Sequence, residues 1–177
     1  FLTESQKKSS IKPLTKPSDL LKKSFCVGEA HGDTLPKKFL IENMEKLKDN
    51  GFSILYMEHL FFDSICQNSL NLYYDNPAAG MPKDLEIYLE SLDAGFKRGS
   101  GIRGKPVVRG FGFKELVQTA IENNIRVIGI DTTTSYAMGN AGGAQDFGAE
   151  GKDRISGMNY QACKIINKTA NGNKWFS

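Results

Sequence analysis

Three apolar, β-like runs of this sequence each end on a carboxylate residue. The runs cover residues 24–28, 52–57 and 126–130, and the residues that follow them are Glu29, Glu58 and Asp131. The two histidines of the chain follow the first two carboxylates closely: His31 is two residues after Glu29, and His59 comes directly after Glu58. Ligands of an open α/β sheet bind outside the carboxyl ends of its parallel strands. The spacing therefore predicts one site that collects carboxylates and imidazoles at a single sheet edge.

Size and charge limit the possible classes of protein. A chain of 177 residues corresponds to about one domain, and 40% apolar with 24% charged residues is ordinary for a globular protein. The net charge of +3 does not indicate a nucleic-acid partner, and no apolar run reaches the roughly 18 residues of a membrane span. We expect a polar linker over residues 1–18 and a single α/β domain over residues 19–177.

The cysteines and the chain ends carry weaker signals. Cys26, Cys66 and Cys163 show no CxxC spacing, which argues against a zinc knuckle. Cys26 lies in an apolar run and is predicted to be a small core residue. An odd number of cysteines fits a domain that works in a reducing cytosol. The chain begins without Met, so we expect it to be a piece of a longer protein.

The periodicity predicts alternating strands and helices, hence a mostly parallel sheet covered by helices. Residues 24–28 and 52–57 should form a βαβ unit around a helix over 34–49, whose buried stripe is Leu40, Met44 and Leu47. Further helices are predicted at 60–76, 82–92, 112–124 and 152–168, with Phe61, Phe62 and Ile65 in the core. Glycine-rich loops are predicted at 95–110 and 137–151. A last strand starts at Lys174, and we expect the sheet to continue past Ser177.

The most specific local motif is Gly28-Glu29-Ala30-His31-Gly32. In an extended segment side chains alternate with a period of two, so Glu29 and His31 point the same way. Glu58 shares a face with Tyr56, whereas His59 points to the opposite side. Asp131 either lines the site or caps the next segment. Arg109 belongs to a basic loop that either holds an acidic group or is simply solvated.

Several common catalytic motifs are absent from the sequence. There is no P-loop, no GxGxxG after a strand and no GxSxG. Neither Cys66 nor Cys163 adjoins a histidine, so the local sequence does not indicate a cysteine nucleophile.

These motifs together resemble a known superfamily. The residues are Gly-Glu-Ala-His at 28–31, Tyr-Met-Glu-His at 56–59, Val-Ile-Gly-Ile-Asp at 127–131, and Arg154 with Met158-Asn159. They are similar to the erythromycin esterase (EreA), ChaN haem-binding, and TraB and Tiki protease superfamily. Within it they look most like domains of large bacterial toxins, such as Pasteurella multocida toxin and the Ras-specific endopeptidase domain of MARTX toxins.

The resemblance implies an enzyme that cuts a host protein. The endopeptidase relatives cleave the switch I region of Ras-type GTPases without a metal, and their essential residues match Glu29, His31 and Glu58. Tyr56, Arg109, Asp131, Arg154 and Asn159 would support the site, together with His59 as a further catalytic candidate. The relatives also need a later histidine, which this sequence does not contain after His59. A secreted bacterial toxin or effector that acts in the host cytosol is the implied setting.

Two alternatives remain open from the sequence. The first is a metal-dependent hydrolase of the Tiki type, in which Glu29, His31 and Glu58 would bind Zn, Mn or Fe, although Glu-x-His is not a strong metal motif. The second is a non-catalytic toxin domain, either a scaffold or a haem-binding module. The favoured reading has no cofactor and a host protein as its partner.

Overall fold

A computed structural model of the chain describes residues 17–28, 34–99, 110–134 and 149–177. Within this described part, the helices are α1 (Leu35–Glu42), α2 (Met44–Asp49), α3 (Ile65–Asp75), α4 (Lys83–Gly99), α5 (Phe113–Glu122) and α6 (Ala149–Thr169). The strands are β1 (Phe52–Phe61), β2 (Arg126–Asp131) and β3 (Lys174–Phe176), and short 3-10 helices span Pro17–Lys22 and Pro77–Ala79. The predicted α/β class is confirmed. Residues 1–16 of the predicted linker lie outside the described residues.

The three strands form one parallel sheet with β1 in the centre, in the order β2-β1-β3. Leu55 pairs with Val127 on one side and with Phe176 on the other. The register with β2 shifts between Met57 and Phe61, so β1 contains a bulge just before its carboxyl end. All strands point the same way, and their carboxyl ends therefore meet at one edge.

The predicted first strand is reduced to one bridge at the margin of the sheet. Phe25 pairs in parallel with Phe176, and the N–H of Val27 donates to the Ser177 carbonyl at 2.7 Å. Its neighbour is thus β3 and not β1, which corrects the simple βαβ unit predicted for 24–28 and 52–57.

Two predicted helices differ from those observed. The helix over 34–49 is interrupted at Asn43, whose side-chain amide donates to the Phe39 carbonyl at 2.8 Å, although the buried stripe is correct. The helix predicted from residue 60 begins at Ile65 instead, because β1 continues to Phe61 and Ser64 caps α3 through the N–H of Cys66. Ile65 is 73% exposed, so its assignment to the core was wrong.

The other predicted helices are confirmed with shifted ends. The helix predicted for 82–92 extends to Gly99, so the basic loop starts as helix, and the rest of that loop up to residue 109 lies outside the described residues. Residues 137–148 of the second predicted glycine-rich loop also lie outside the described residues.

Helices cover both faces of the sheet. In the larger apolar cluster, residues of all five helices from α1 through α5 pack against the face of β1 that carries Leu55 and Met57. The smaller cluster contains Tyr56, Ile128 and Ile165 and places α6 on the opposite face. Strands buried on both faces explain why the runs at 52–57 and 126–130 are almost continuously apolar.

Candidate functional site

The backbone of His59 is held in an unusual conformation at the carboxyl end of β1. Its φ angle is 65°, which lies in the left-handed region that side chains with a Cβ rarely adopt. Its N–H donates to Oδ2 of Asp131 at 2.9 Å, and its carbonyl accepts a hydrogen bond from the Tyr88 hydroxyl. The His59 ring meets the Phe113 ring edge-on at 6.0 Å between centroids. Partners from β2, α4 and α5 therefore fix the turn that carries Glu58 and His59.

Asp131, at the end of β2, binds the backbone of this turn. Its side chain is 5% exposed, and its own backbone carbonyl accepts from the N–H of Phe62 at 2.8 Å. A buried carboxylate needs hydrogen-bond donors to compensate for its lost hydration. The N–H of His59 is one such donor, so Asp131 and the β1 bulge stabilise each other.

A cavity of about 1060 Å³ opens beside this turn. Glu58 and His59 line it from β1, Gly28 lines it from the edge segment, and Asn159 lines it from α6. Most of its other described lining residues are apolar: Val27, Leu40, Leu55, Met57, Phe113, Leu116, Ile130 and Ile166. Glu58 and Asn159 are exposed, so both could contact a bound molecule.

The structure describes only some of the sequence-predicted site residues. Glu29, His31 and Arg109 lie outside the described residues, although Gly28, which lines the cavity, directly precedes Glu29. Arg154 belongs to α6, but its side chain is outside the described part of the chain.

Tyr56 has a structural role that the sequence did not indicate. Its hydroxyl lies 2.7 Å from Oγ1 of Thr169, which itself donates to the Ile165 carbonyl. Because the Thr169 hydroxyl has one proton, Tyr56 is the donor of this pair. Burial raises the pKa of the Tyr56 phenol, so the hydroxyl keeps the proton that it donates. The hydrogen bond between Tyr56 and Thr169 therefore connects β1 to the end of α6.

Lys37 is a cavity residue that the sequence analysis missed. It is 5% exposed and lines the cavity from α1, with its ammonium 4.5 Å from the centroid of the Phe113 ring. Its burial depends on Phe113, which begins α5 far along the chain, so no local pattern could reveal it. Nearby, the Asp93 carboxylate accepts from the N–H of Phe113 at 2.9 Å. Burial raises the pKa of Asp93, although this hydrogen bond and that from Lys114 oppose the rise.

The thiols of Cys26 and Cys163 also line the cavity, whereas that of Cys66 is not among its lining residues. Cys26 is exposed, so the prediction that it is a core residue was wrong. Desolvation raises the pKa of the Cys26 thiol, and the neighbouring Cys163 on α6 adds to the rise. Cys66 is buried, and burial raises the pKa of its thiol to about 11.

The metal alternative concerns residues that are mostly undescribed. Among the described residues, no group of three or more His, Cys, Asp and Glu side chains could hold a metal ion. Of the three ligands that the metal alternative names, only Glu58 is described. Likewise, no helix in the described ranges is both long and apolar enough to cross a membrane.

Comparisons with known proteins connect this fold to a solved toxin structure. No family model matches the chain, and no curated protein matches it significantly. The crystal structure of RRSP, a MARTX toxin effector domain from Vibrio vulnificus CMCP6, superposes with a TM-score of 0.67. RRSP shares this fold. The match covers 93% of this chain at 20% identity and spans 30% of the RRSP chain.

RRSP supports the part of the sequence resemblance that concerned toxin domains. At 20% identity the likeness to RRSP establishes the fold and leaves activity and substrate open. The wider superfamily of erythromycin esterase, ChaN, TraB and Tiki proteins stays a prediction.

Proposed function

We propose that this chain is the effector domain of a secreted bacterial toxin and hydrolyses a peptide bond in a host protein, with a Ras-type small GTPase as the first candidate. The observation that carries the proposal is the cavity at the carboxyl edge of the sheet. Glu58, His59 and the residue preceding Glu29 all line this cavity. Its position follows the rule for ligand sites of open α/β sheets, and the fold shared with RRSP gives the toxin setting.

The proposed chemistry uses a carboxylate to activate water. Glu58 is exposed at the cavity and is the first candidate for the general base, with Glu29 as the second. The activated water attacks the peptide carbonyl, and His31 donates a proton to the leaving amine. Arg109 or Arg154 stabilises the oxyanion or pairs with a site carboxylate. His59 and Asp131 set the backbone from which Glu58 projects.

The test is proteolysis of a panel of purified Ras-type and related small GTPases, followed by intact-mass measurement. We expect one GTPase to yield two fragments whose masses add up to the substrate plus one water. Glu58→Gln should abolish this cut because the amide cannot take a proton from water. Glu45→Gln is the matched control, since Glu45 is an exposed glutamate on α2 and does not line the cavity.

The same assay separates the alternatives. Cleavage that stops with a chelator and returns with Zn, Mn or Fe would favour the metal-dependent protease. A haem titration that gives a Soret band without any cleavage would favour the non-catalytic module. Equal cleavage by wild type and Glu58→Gln would remove Glu58 from the mechanism, and no cleavage of any panel member would contradict a GTPase substrate.

A further inference from the structure

The first turn of α5 is capped by a side chain from another helix. Gly112 precedes α5 and has no side chain, so it cannot accept a hydrogen bond in the way that most N-cap residues do. Asp93 of α4 takes this role: its Oδ1 accepts from the N–H of Phe113 at 2.9 Å, and its Oδ2 accepts from that of Lys114 at 3.5 Å. A carboxylate at this place also suits the positive end of the helix dipole. Asp93 therefore ties the start of α5 to α4.

The contact between Asp93 and Gly112 leaves no free space. A Cβ at Gly112 would lie 2.5 Å from Oδ2 and 2.8 Å from Cγ of Asp93, so the carboxylate occupies the volume of the missing side chain. A local cap exists as well, because Glu115 accepts from the N–H of Gly112 at 3.0 Å. The local cap supports the helical turn itself. The bond to α4 additionally determines where the first residue of α5 lies.

The first residue of α5 is Phe113, which contacts His59. Phe113 is buried, and its ring meets the His59 ring at 6.0 Å between centroids and at an interplanar angle of 88°. Both residues line the cavity. Aromatic pairs with this T-shaped geometry attract each other directionally, so the position of Phe113 restricts the orientation of the imidazole. α4 also reaches the same turn directly, since the Tyr88 hydroxyl donates to the His59 carbonyl.

We propose that Asp93 is a positioning residue that orients the His59 imidazole at the cavity through Phe113. The inference rests on the proposed function and deepens it, because it gives a use to the imidazole beside the candidate base Glu58. A proton donor or acceptor must lie about 3 Å from the atom that it serves, so an imidazole acts only when its direction is fixed. Asp131 holds the backbone of His59, whereas Asp93 acts on the imidazole ring.

The experiment records the imidazole signals of His59 by NMR and needs no substrate. The chain has two histidines, so His31→Gln assigns the two sets of signals. We expect Asp93→Ala to move the His59 signals, because the imidazole protons change their position relative to the ring current of Phe113. Asp93→Asn keeps one oxygen as an acceptor and should move the signals less.

Asp84→Ala is the matched control. Asp84 also lies on α4, but its Oδ2 accepts from the Ser69 hydroxyl at 2.6 Å, so its loss should leave the His59 signals in place. Gly112→Ala tests the cap from the other side. Its Cβ would displace the Asp93 carboxylate, and it should move the His59 signals as Asp93→Ala does.

Two results would overturn the proposal: unchanged His59 signals in a folded Asp93→Ala, and an equal movement in Asp84→Ala. If Asp93→Ala does not fold, Gly112→Ala decides by the same signals. In the GTPase assay, Asp93→Ala should lower kcat by about tenfold with little change in KM, since a misdirected group weakens the transition state more than binding. Moved signals with an unchanged kcat would overturn the use of the imidazole in the reaction.

The two readouts also separate this proposal from the proposed function. Moved His59 signals without cleavage of any GTPase would keep the positioning role and reject the peptidase. Cleavage that depends on Glu58, together with unmoved His59 signals, would do the reverse.

Discussion

The carboxylate of Asp131 accepts a hydrogen bond of 2.9 Å from the backbone N–H of His59, which lies 72 residues earlier in the chain. This bond joins the carboxyl ends of β1 and β2 at the point where their register shifts. His59 has a φ angle of 65° at this point. Strained backbone persists where the surrounding structure over-determines it, and such positions cluster at functional sites. Asp131 is therefore a positioning residue for the turn that presents Glu58.

Removing the Asp131 carboxylate should destabilise the turn. Asp131→Ala leaves the His59 N–H without this acceptor at a partly buried position, which costs about 1 kcal/mol or more in the free energy of unfolding. Asp131→Asn keeps one carbonyl oxygen and should lose less. Urea unfolding measures both, and amide exchange at His59 should speed up in Asp131→Ala. Asp49→Ala, at an exposed site, is the control; equal stability of Asp49→Ala and Asp131→Ala would contradict the positioning role.

The conformation of His59 itself can be tested with two substitutions that both remove the imidazole. Glycine adopts positive φ freely, whereas alanine is strained there by roughly 1 kcal/mol. Both variants lose the contact with the Phe113 ring, so their difference isolates the backbone term. We expect thermal or urea unfolding to show His59→Gly more stable than His59→Ala by about that amount. In ordinary extended backbone alanine would be the more stable of the two, and that order would refute the positive φ.

The central part of this fold was predictable because it is built from local regularities. The apolar runs at 52–57 and 126–130 are buried on both faces by helices, so their strand character shows in composition alone. Leu40, Met44 and Leu47 repeat at helical spacing and are all buried. The carboxyl ends of β1 and β2 meet at one edge, as expected for parallel strands, and Asp131 there accepts from the backbone N–H of His59.

The features that the sequence did not reveal depend on distant partners. The run at 24–28 is apolar, but its pairing partner is β3, which is far away in sequence. The extension of β1 beyond Met57 depends on β2 and its Asp131. The ammonium of the buried Lys37 lies against the ring of Phe113 in α5. Local periodicity contains no information about these contacts, so long-range packing decided each of them.

Gly129 should be intolerant of any side chain because β2 passes very close to β1 there. A Cβ at this position would run into the backbone carbonyl of Leu60, and the Gly129 N–H already donates to Gln67 at 2.9 Å. Gly129→Ala should therefore lower the free energy of unfolding by about 1–3 kcal/mol or more. In Gly157→Ala, within α6, the Cβ meets nothing, and the helix should gain about 0.5–1 kcal/mol. Urea unfolding of the pair checks both signs, and a neutral Gly129→Ala would show that β1 and β2 lie farther apart.

The Cys26 thiol at the cavity wall should react only at raised pH. The thiolate is the form that reacts with iodoacetamide, so a raised pKa moves the reaction of Cys26 to more alkaline pH than that of a free cysteine. The neighbouring Cys163 contributes to this rise, and Cys163→Ser should therefore shift the Cys26 midpoint back toward neutral pH. Peptide mass spectrometry over a series of pH values gives each rate separately.

Cys66 serves as the internal reference and should react last, because it is buried and its pKa is about 11. If Cys26 reacted at neutral pH as fast as a free thiol, desolvation at the cavity wall would not be raising its pKa. If the Cys26 midpoint were unchanged in Cys163→Ser, Cys163 would not contribute to that rise.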